Sequence, residues 1–126
     1  MTGITFGAFE YVHIGHIKLF QNAKKQCDRL IVCVSSDEYI ETIKRHKSAF
    51  NIEDRISSLK SIKEIDDIDI QTLDIGKKEL VEKYKPDVIF VGNDWNKETF
   101  TGEGLGIKVV YLKRTKGVSS TFLRNR

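Results

Sequence analysis

Apolar runs that alternate with helical patterns constrain the fold of this chain more than any other feature. Residues 30–34 and 88–91 are unbroken apolar runs, which is typical of strands buried on both faces of a parallel sheet. Apolar residues recur every three or four positions at 14–27 and again at 52–65, which predicts two helices. Further strands and a short helix complete the alternation, at 4–6, 68–72, 77–84 and 107–112. The pattern predicts an α/β fold with a doubly wound parallel sheet of about five strands.

Length and composition are those of an ordinary globular chain. The 126 residues are 40% hydrophobic and 31% charged, which predicts a single domain over residues 1–126. No apolar stretch reaches membrane-spanning length and no basic-then-apolar leader opens the chain, so we expect a cytoplasmic protein without a membrane partner. The net charge of +3 is modest and the lysines are scattered, so the sequence does not call for a nucleic-acid partner. Cys27 and Cys33 are expected to be small buried hydrophobes rather than a disulfide.

The run 13–16, His-Ile-Gly-His, stands between the first predicted strand and the first predicted helix. A helix N-terminus offers unpaired N–H groups and a positive dipole end, which together attract anions. His13 and His16 are three residues apart, so both imidazoles lie on one helical face and can donate to phosphate oxygens. Gly15 leaves room for a phosphate chain to approach the backbone. The run predicts a site for phosphate chemistry.

A basic run at 44–47 lies between two predicted helices, and Arg55 follows eight residues later. The run is either a solvated stretch of charge or a phosphate-binding loop. No apolar anchor follows it until Phe50. We therefore expect this loop to be mobile in the free protein and to close over bound phosphates.

Two segments near the C-terminus also carry chemistry. Asp94 and Trp95 follow a predicted strand and suit a ribose or base pocket, because a carboxylate accepts from hydroxyl and amino groups and an indole offers a flat face. A surface turn is the alternative interpretation of that pair. Residues 114–121 combine a cation, a glycine and several hydroxyls at a predicted helix start, which indicates a second phosphate cradle.

Together these segments resemble the cytidylyltransferase family of the nucleotidyltransferase superfamily, and its glycerol-phosphate branch in particular. The resemblance covers nearly the whole chain and is carried by the motifs Gly-x-Phe-acid-x-x-His-x-Gly-His at 7–16, Gly-x-Asp-Trp at 92–95 and Arg-Thr-x-Gly-x-Ser at 114–119. It implies a Rossmann-like nucleotidyltransferase fold. It also implies transfer of a cytidylyl group from CTP to a phosphorylated alcohol, with release of pyrophosphate. Mg²⁺ would accompany CTP without a dedicated protein metal site, and the protein would be a homodimer.

Carried over to matching positions, the resemblance implies three groups of site residues. The catalytic residues would be His13, His16, Lys44 and Arg114. The nucleotide would be bound by Phe6, Gly7, Ala8, Phe9, Gly15, Gly92, Asp94, Trp95, Thr115, Ser119 and Ser120. The acceptor would be bound by Glu10, Arg55 and Lys63.

The chain departs from the usual family pattern at four of its positions. Ala8 and Glu10 stand where the family usually has threonine and aspartate, His46 stands in place of the second loop lysine, and Lys63 replaces an arginine that could form a bidentate fork. These changes bear on the acceptor more than on the reaction type. An adenylyltransferase on the same fold and a non-catalytic nucleotide-binding protein stay open as alternatives. A class I aminoacyl-tRNA synthetase, which shares the His-x-Gly-His run, would need a far longer chain.

Overall fold

A five-stranded parallel sheet forms the centre of the computed structural model, which describes residues 1–92 and 106–112. The order of the strands across the sheet is β3-β2-β1-β4-β5. In chain order they are β1 (Thr2–Gly7), β2 (Arg29–Ser35), β3 (Asp67–Gln71), β4 (Val88–Gly92) and β5 (Lys108–Leu112). Every neighbouring pair is parallel, so all carboxyl ends lie at one edge of the sheet. The predicted fold class and the predicted number of strands are confirmed.

Helices cover both faces of the sheet. They are α1 (Ile14–Lys24), α2 (Asp37–Tyr39) with a π-helical turn (Ile40–Lys44) directly after it, α3 (Ile52–Lys60) and α4 (Lys77–Tyr84). Phe20 of α1 and Leu59 of α3 are fully buried against one face, and Leu80 of α4 is buried against the other. Because helices cover both faces of the sheet, the middle strands are continuous apolar runs in the sequence. No helix within the described residues is long and apolar enough to cross a membrane.

Two helices are shorter than the apolar pattern predicts. The pattern extends the first helix to residue 27 and the second to residue 65, but α1 ends at Lys24 and α3 ends at Lys60. Ile62 and Ile65 lie in turns whose N–H groups bond back to carbonyls three residues earlier, and both still pack against the core. Apolar spacing reports burial, and burial continues past the last helical turn. The bounds of α4 agree with the prediction.

The strand order places the switch point between β1 and β4. The chain moves outward from β1 to β2 and β3, and then returns to the other side of β1 with β4. Ligands of open α/β sheets bind outside the carboxyl ends of the strands at such a point. The loop after β1, which carries the histidine run, therefore adjoins the crevice. The loops after β2 and β3 lie on the side of this loop that faces away from β4.

Candidate functional site

The two histidines meet at the start of α1, as predicted. His13 is the N-cap residue, and its Nδ1 accepts from the Gly15 N–H at 3.1 Å. Nδ1 of His16 accepts from the His13 N–H at 3.4 Å, and the two rings stack with centroids 4.0 Å apart. A ring nitrogen that accepts carries no proton, so in each neutral imidazole the proton lies on Nε2. The pair thus caps its own helix through Nδ1, which leaves the ring proton of each neutral imidazole on Nε2.

Burial fixes the protonation state of His16. Its pKa falls from 6.5 to about 4, first because burial penalises the charged ring and then because of the neighbouring His13, while a hydrogen bond with the Tyr11 backbone opposes the shift. The ring of Phe9 stands edge-on to His16 with centroids 5.3 Å apart. His16 is therefore a neutral donor at pH 7. The positive end of α1, whose first turn contains no acidic residue, supplies further attraction for an anion.

The loop after β1 folds tightly so that Phe9 can reach this position. Phe9 has a positive φ of 49° and is buried, and its ring returns over Gly7. A Cβ atom at Gly7 would lie 2.9 Å from that ring, so only glycine fits there. The loop therefore brings Gly7, Ala8 and Phe9, which were predicted to bind the nucleotide, next to the histidine pair.

A carboxylate and an imidazole join the histidine loop to the basic loop. Nε2 of His46 lies 3.0 Å from both carboxylate oxygens of Glu10, and the Glu10 residue is 8% exposed. Nδ1 of His46 lies 3.3 Å from the Lys44 carbonyl. The sequence offers no apolar anchor for residues 44–48, but in the structure the contact between His46 and Glu10 anchors them. Sequence reasoning noted Glu10 and His46 as separate departures and missed that they are partners.

Arg55 is buried inside the framework of the site. The residue is 1% exposed, and its guanidinium donates to three backbone carbonyls, of Ala8 at 2.8 Å, Ser35 at 2.6 Å and Phe50 at 3.0 Å. It also donates to Oδ1 of Asp37 at 2.6 Å. These bonds use four of the five N–H groups of the guanidinium, and they tie the ends of β1 and β2 to the loop before α3. The geometry favours a bracing role, and the predicted contact with the acceptor phosphate stays a prediction.

Lys44 ends the π-helical turn beside these groups. Burial of its ammonium lowers its pKa, the positive charge of Arg55 lowers it further, and Glu10 raises it. A lysine whose charge is held away from bulk water next to another cation is well placed to bind a phosphate.

A lysine that sequence reasoning did not select adds another positive charge at the carboxyl edge of the sheet. Lys77, the first residue of α4, places Nζ 5.6 Å from the ring centroid of Phe6 at the carboxyl end of β1. Burial lowers the pKa of Lys77, and the positive charge of Lys44 lowers it further. The sequence held one signal for Lys77, its position directly after the loop that follows β3, because such loops lie at the carboxyl edge of the sheet.

The other predicted site residues lie at the end of β4, in an exposed turn, or outside the described part of the chain. Gly92 is the last residue of β4, at the switch point, and its role in nucleotide binding stays a prediction. Lys63 is exposed in the turn that leads into the amino end of β3, so the structure does not bring it together with the histidines. Six predicted residues lie outside the described part of the chain: Asp94, Trp95, Arg114, Thr115, Ser119 and Ser120.

Comparison with known proteins adds the family context. Residues 4–126 match the family model described as cytidylyltransferase-like. The chain is 40% identical over 122 residues to the glycerol-3-phosphate cytidylyltransferase of Staphylococcus aureus, an alignment that covers 96% of this chain and 90% of that protein. It is 36% identical over 112 residues to the FAD synthase of Pyrococcus abyssi, with 84% and 76% covered.

A solved structure supports the fold independently. The lipopolysaccharide core biosynthesis protein from Thermoplasma volcanium superposes on this chain with a TM-score of 0.74. The superposition covers 91% of this chain and 96% of that one at 24% sequence identity. At that level of identity the likeness concerns the fold alone, and it agrees with the Rossmann-like arrangement described above.

Proposed function

Because this chain belongs to the cytidylyltransferase-like family, we propose that it transfers a cytidylyl group from CTP to glycerol 3-phosphate and releases pyrophosphate. The similarity to the Staphylococcus aureus enzyme over 96% of the chain supports this choice of nucleotide and acceptor. The observation that carries the chemistry is the stacked pair of His13 and His16 at the N-terminus of α1. Imidazole N–H donors and a helix dipole at a switch point suit a polyphosphate.

The proposed reaction is an in-line displacement at phosphorus. An oxygen of the acceptor phosphate attacks the α-phosphorus of CTP, the bond from that phosphorus to the bridging oxygen breaks, and this oxygen leaves with the electron pair as pyrophosphate. A phosphate monoester is already an anion at neutral pH, so the protein needs no general base. Catalysis reduces to alignment of the two phosphates and stabilisation of charge on the α-phosphate oxygens.

His16 and Lys44 divide this work by their charge states. His16 is neutral at pH 7, so its Nε2–H serves as an uncharged donor to a phosphate oxygen. Lys44 carries the compensating positive charge from the basic loop. The bonds between His46 and Glu10 set where that loop lies relative to the histidines. Arg55 holds the backbones from which these groups project.

Mg²⁺, a homodimer and a cytoplasmic location belong to the same proposal. No three His, Cys, Asp or Glu side chains converge on a metal-sized site within residues 1–92 and 106–112. Mg²⁺ is usually held through substrate phosphates with one or two carboxylates, so we propose that it enters on the triphosphate of CTP and neutralises part of its charge. The family resemblance supports the homodimer, and the use of CTP supports the cytoplasm.

Pyrophosphate release with matched substrate pairs tests the proposed function. CTP or ATP is combined with glycerol 3-phosphate, with glycerol, or with other phosphorylated alcohols, and the products are identified by mass. We expect CDP-glycerol from CTP and glycerol 3-phosphate and no turnover of unphosphorylated glycerol. A preference for ATP would favour the adenylyltransferase alternative. Binding of CTP without turnover of any acceptor would favour the non-catalytic alternative.

A further inference from the structure

Both ring nitrogens of His46 face hydrogen-bond acceptors. Nε2 lies 3.0 Å from each carboxylate oxygen of Glu10, and Nδ1 lies 3.3 Å from the carbonyl oxygen of Lys44. A carboxylate and a carbonyl only accept hydrogen bonds, whereas a neutral imidazole has a single N–H to donate. The neutral ring can therefore make one of these two contacts, and only the doubly protonated ring can make both. We call the two contacts together the His46 clamp.

Burial gives the contact with Glu10 a large weight. The side chain of Glu10 is 8% exposed, and that of His46 is 33% exposed. A carboxylate that is removed from water needs charged or hydrogen-bonding partners, and hydrogen bonds between charged groups are roughly twice as strong as neutral ones. Loss of the proton from His46 would thus weaken the attraction at a carboxylate that water reaches poorly.

Several other charged and titratable groups surround the clamp. The basic loop, α2, α3, α4 and the histidine run contribute Lys44, Arg45, Lys47, Asp37, Arg55, Lys77, His13 and His16. Burial lowers the pKa of Lys44, Glu10 raises it and Arg55 lowers it, so the charge on Glu10 acts on Lys44 directly. The charge of Arg55 is balanced by Asp37, whose Oδ1 accepts from the guanidinium at 2.6 Å. With its pKa of about 4, His16 stays neutral from pH 6 upward.

The backbone next to His46 depends on the clamp. Arg45 has a φ of 60°, a left-handed conformation that an arginine rarely adopts. The contact from the imidazole back to the Lys44 carbonyl spans this residue, so it holds the turn closed. Phe50 packs edge-on against Tyr11 with ring centroids 5.7 Å apart, so a contact that does not depend on charge also ties the basic loop to the histidine loop. Loss of the proton should therefore loosen the position of Lys44 without releasing the whole loop.

We propose that His46 is a positioning residue of the transfer reaction and that its imidazolium, bonded to Glu10 and to the Lys44 carbonyl, holds the Lys44 ammonium at the site. This inference rests on the proposed function, and it gives a role to a residue that departs from the family pattern. The lysine that the family usually has here keeps its charge in the neutral range, whereas the charge of a histidine ordinarily changes between pH 5 and 8. The placement of Lys44 is therefore coupled to pH: the clamp is complete on the acidic side and weakens as the pH rises.

The pH dependence of kcat/KM tests this role in the wild type and two variants. His46→Gln offers Glu10 an amide N–H that is uncharged at every pH, and Glu10→Asp combined with His46→Lys keeps a charged base against the carboxylate. All three proteins share the titration of the substrates and of the other side chains, so the ratio of two profiles isolates His46. From pH 6 to pH 8.5 we expect the ratio of the wild type to each variant to fall ~5-fold, the difference between a charged and a neutral hydrogen bond. A constant ratio to either variant would overturn the role of His46. Circular dichroism at both pH values verifies that the variants are folded.

Measurements on the free protein separate this inference from the proposed function. If the wild type fails to make CDP-glycerol, the proposed function is wrong, and the clamp is still tested without substrates. At pH 6 we expect both ring nitrogens of His46 to carry a proton in long-range ¹H–¹⁵N NMR spectra, assigned by comparison with His46→Gln. Amides of residues 44–48, corrected for intrinsic exchange rates, should exchange ~5-fold faster in His46→Gln than in the wild type at pH 6 and equally fast at pH 8.5. A singly protonated ring at pH 6, or equal exchange in the two proteins at pH 6, would overturn the clamp whatever the turnover.

Discussion

Replacement of Arg55 by methionine is expected to destabilise the fold far more than replacement of an exposed arginine. Methionine fills much of the same space but donates no hydrogen bond. The change leaves the carbonyls of Ala8 and Ser35, both in buried residues, without their donors. Each orphaned buried acceptor costs about 1–3 kcal/mol. The side chain of Asp37 is 45% exposed, so water replaces that partner with little loss. We therefore expect the free energy of unfolding to fall by about 3–5 kcal/mol.

Urea denaturation followed by circular dichroism measures this loss. The matched control is Arg29→Met, because Arg29 pairs with Asp67 at the protein surface, where the two side chains are 47% and 40% exposed. We expect the control to shift the denaturation midpoint only slightly at the same slope, since exposed ion pairs contribute little.

Kinetics decide between bracing and direct binding by Arg55. If Arg55 braces the site, Arg55→Met should unfold at a much lower urea concentration. At low temperature, where this variant stays folded, its kcat should fall because several loops shift together. If Arg55 binds the acceptor phosphate instead, stability should fall by less than about 1 kcal/mol while KM for glycerol 3-phosphate rises steeply at constant kcat. That second result would refute the structural reasoning and restore the sequence-based role.

Three further expectations concern the histidines. His16→Asn should lower kcat ~10²-fold with KM for CTP nearly unchanged, since a donor to the transition state is lost, and a raised KM at normal kcat would contradict this. By NMR the His16 ring should titrate near pH 4, and because its folded pKa lies below the unfolded value of 6.5, its stabilisation is complete above pH 6.5 and is lost, by up to about 3 kcal/mol, as the pH falls toward 4. Glu10→Gln and His46→Gln should each reduce kcat/KM, and the double variant should be little worse than either single one; additive losses would mean that the two residues act separately.

The fold was largely predictable because its signals are local. Buried strands in a doubly wound sheet appear in the sequence as apolar runs. The bounds of α4 are marked by residues next to it, because Gly76 is its N-cap and Pro86 follows its end. The end of α3 was not predictable from apolar spacing, because Ile62 is buried and Ile65 is partly buried after the helix has ended. The histidine pair was predictable for the same local reason, since three residues on a first helical turn fix the relation of the rings.

Contacts between distant segments decide the rest of the site, and residue type alone does not reveal them. Arg55 looks like a ligand-binding arginine in the sequence, and only the fold shows that Ala8 and Ser35 take its donors. Lys77 looks like one of many helix lysines, and only the return of α4 over the sheet brings it to Phe6. In both cases the sequence supplies the charge, and the tertiary structure decides which groups surround it.

The departures at Glu10 and His46 make physical sense as a pair. The family usually has aspartate and lysine at these positions, a shorter acid and a longer base. This chain has an acid longer by one methylene and a base with a shorter reach, so the combined span between the two backbones changes less than either side chain does. The carboxylate and the imidazole still meet at 3.0 Å. His46→Lys alone should therefore crowd Glu10, whereas Glu10→Asp combined with His46→Lys should restore the contact. The contact between Glu10 and His46 holds the basic loop beside the histidine loop, although neither residue matches the family pattern.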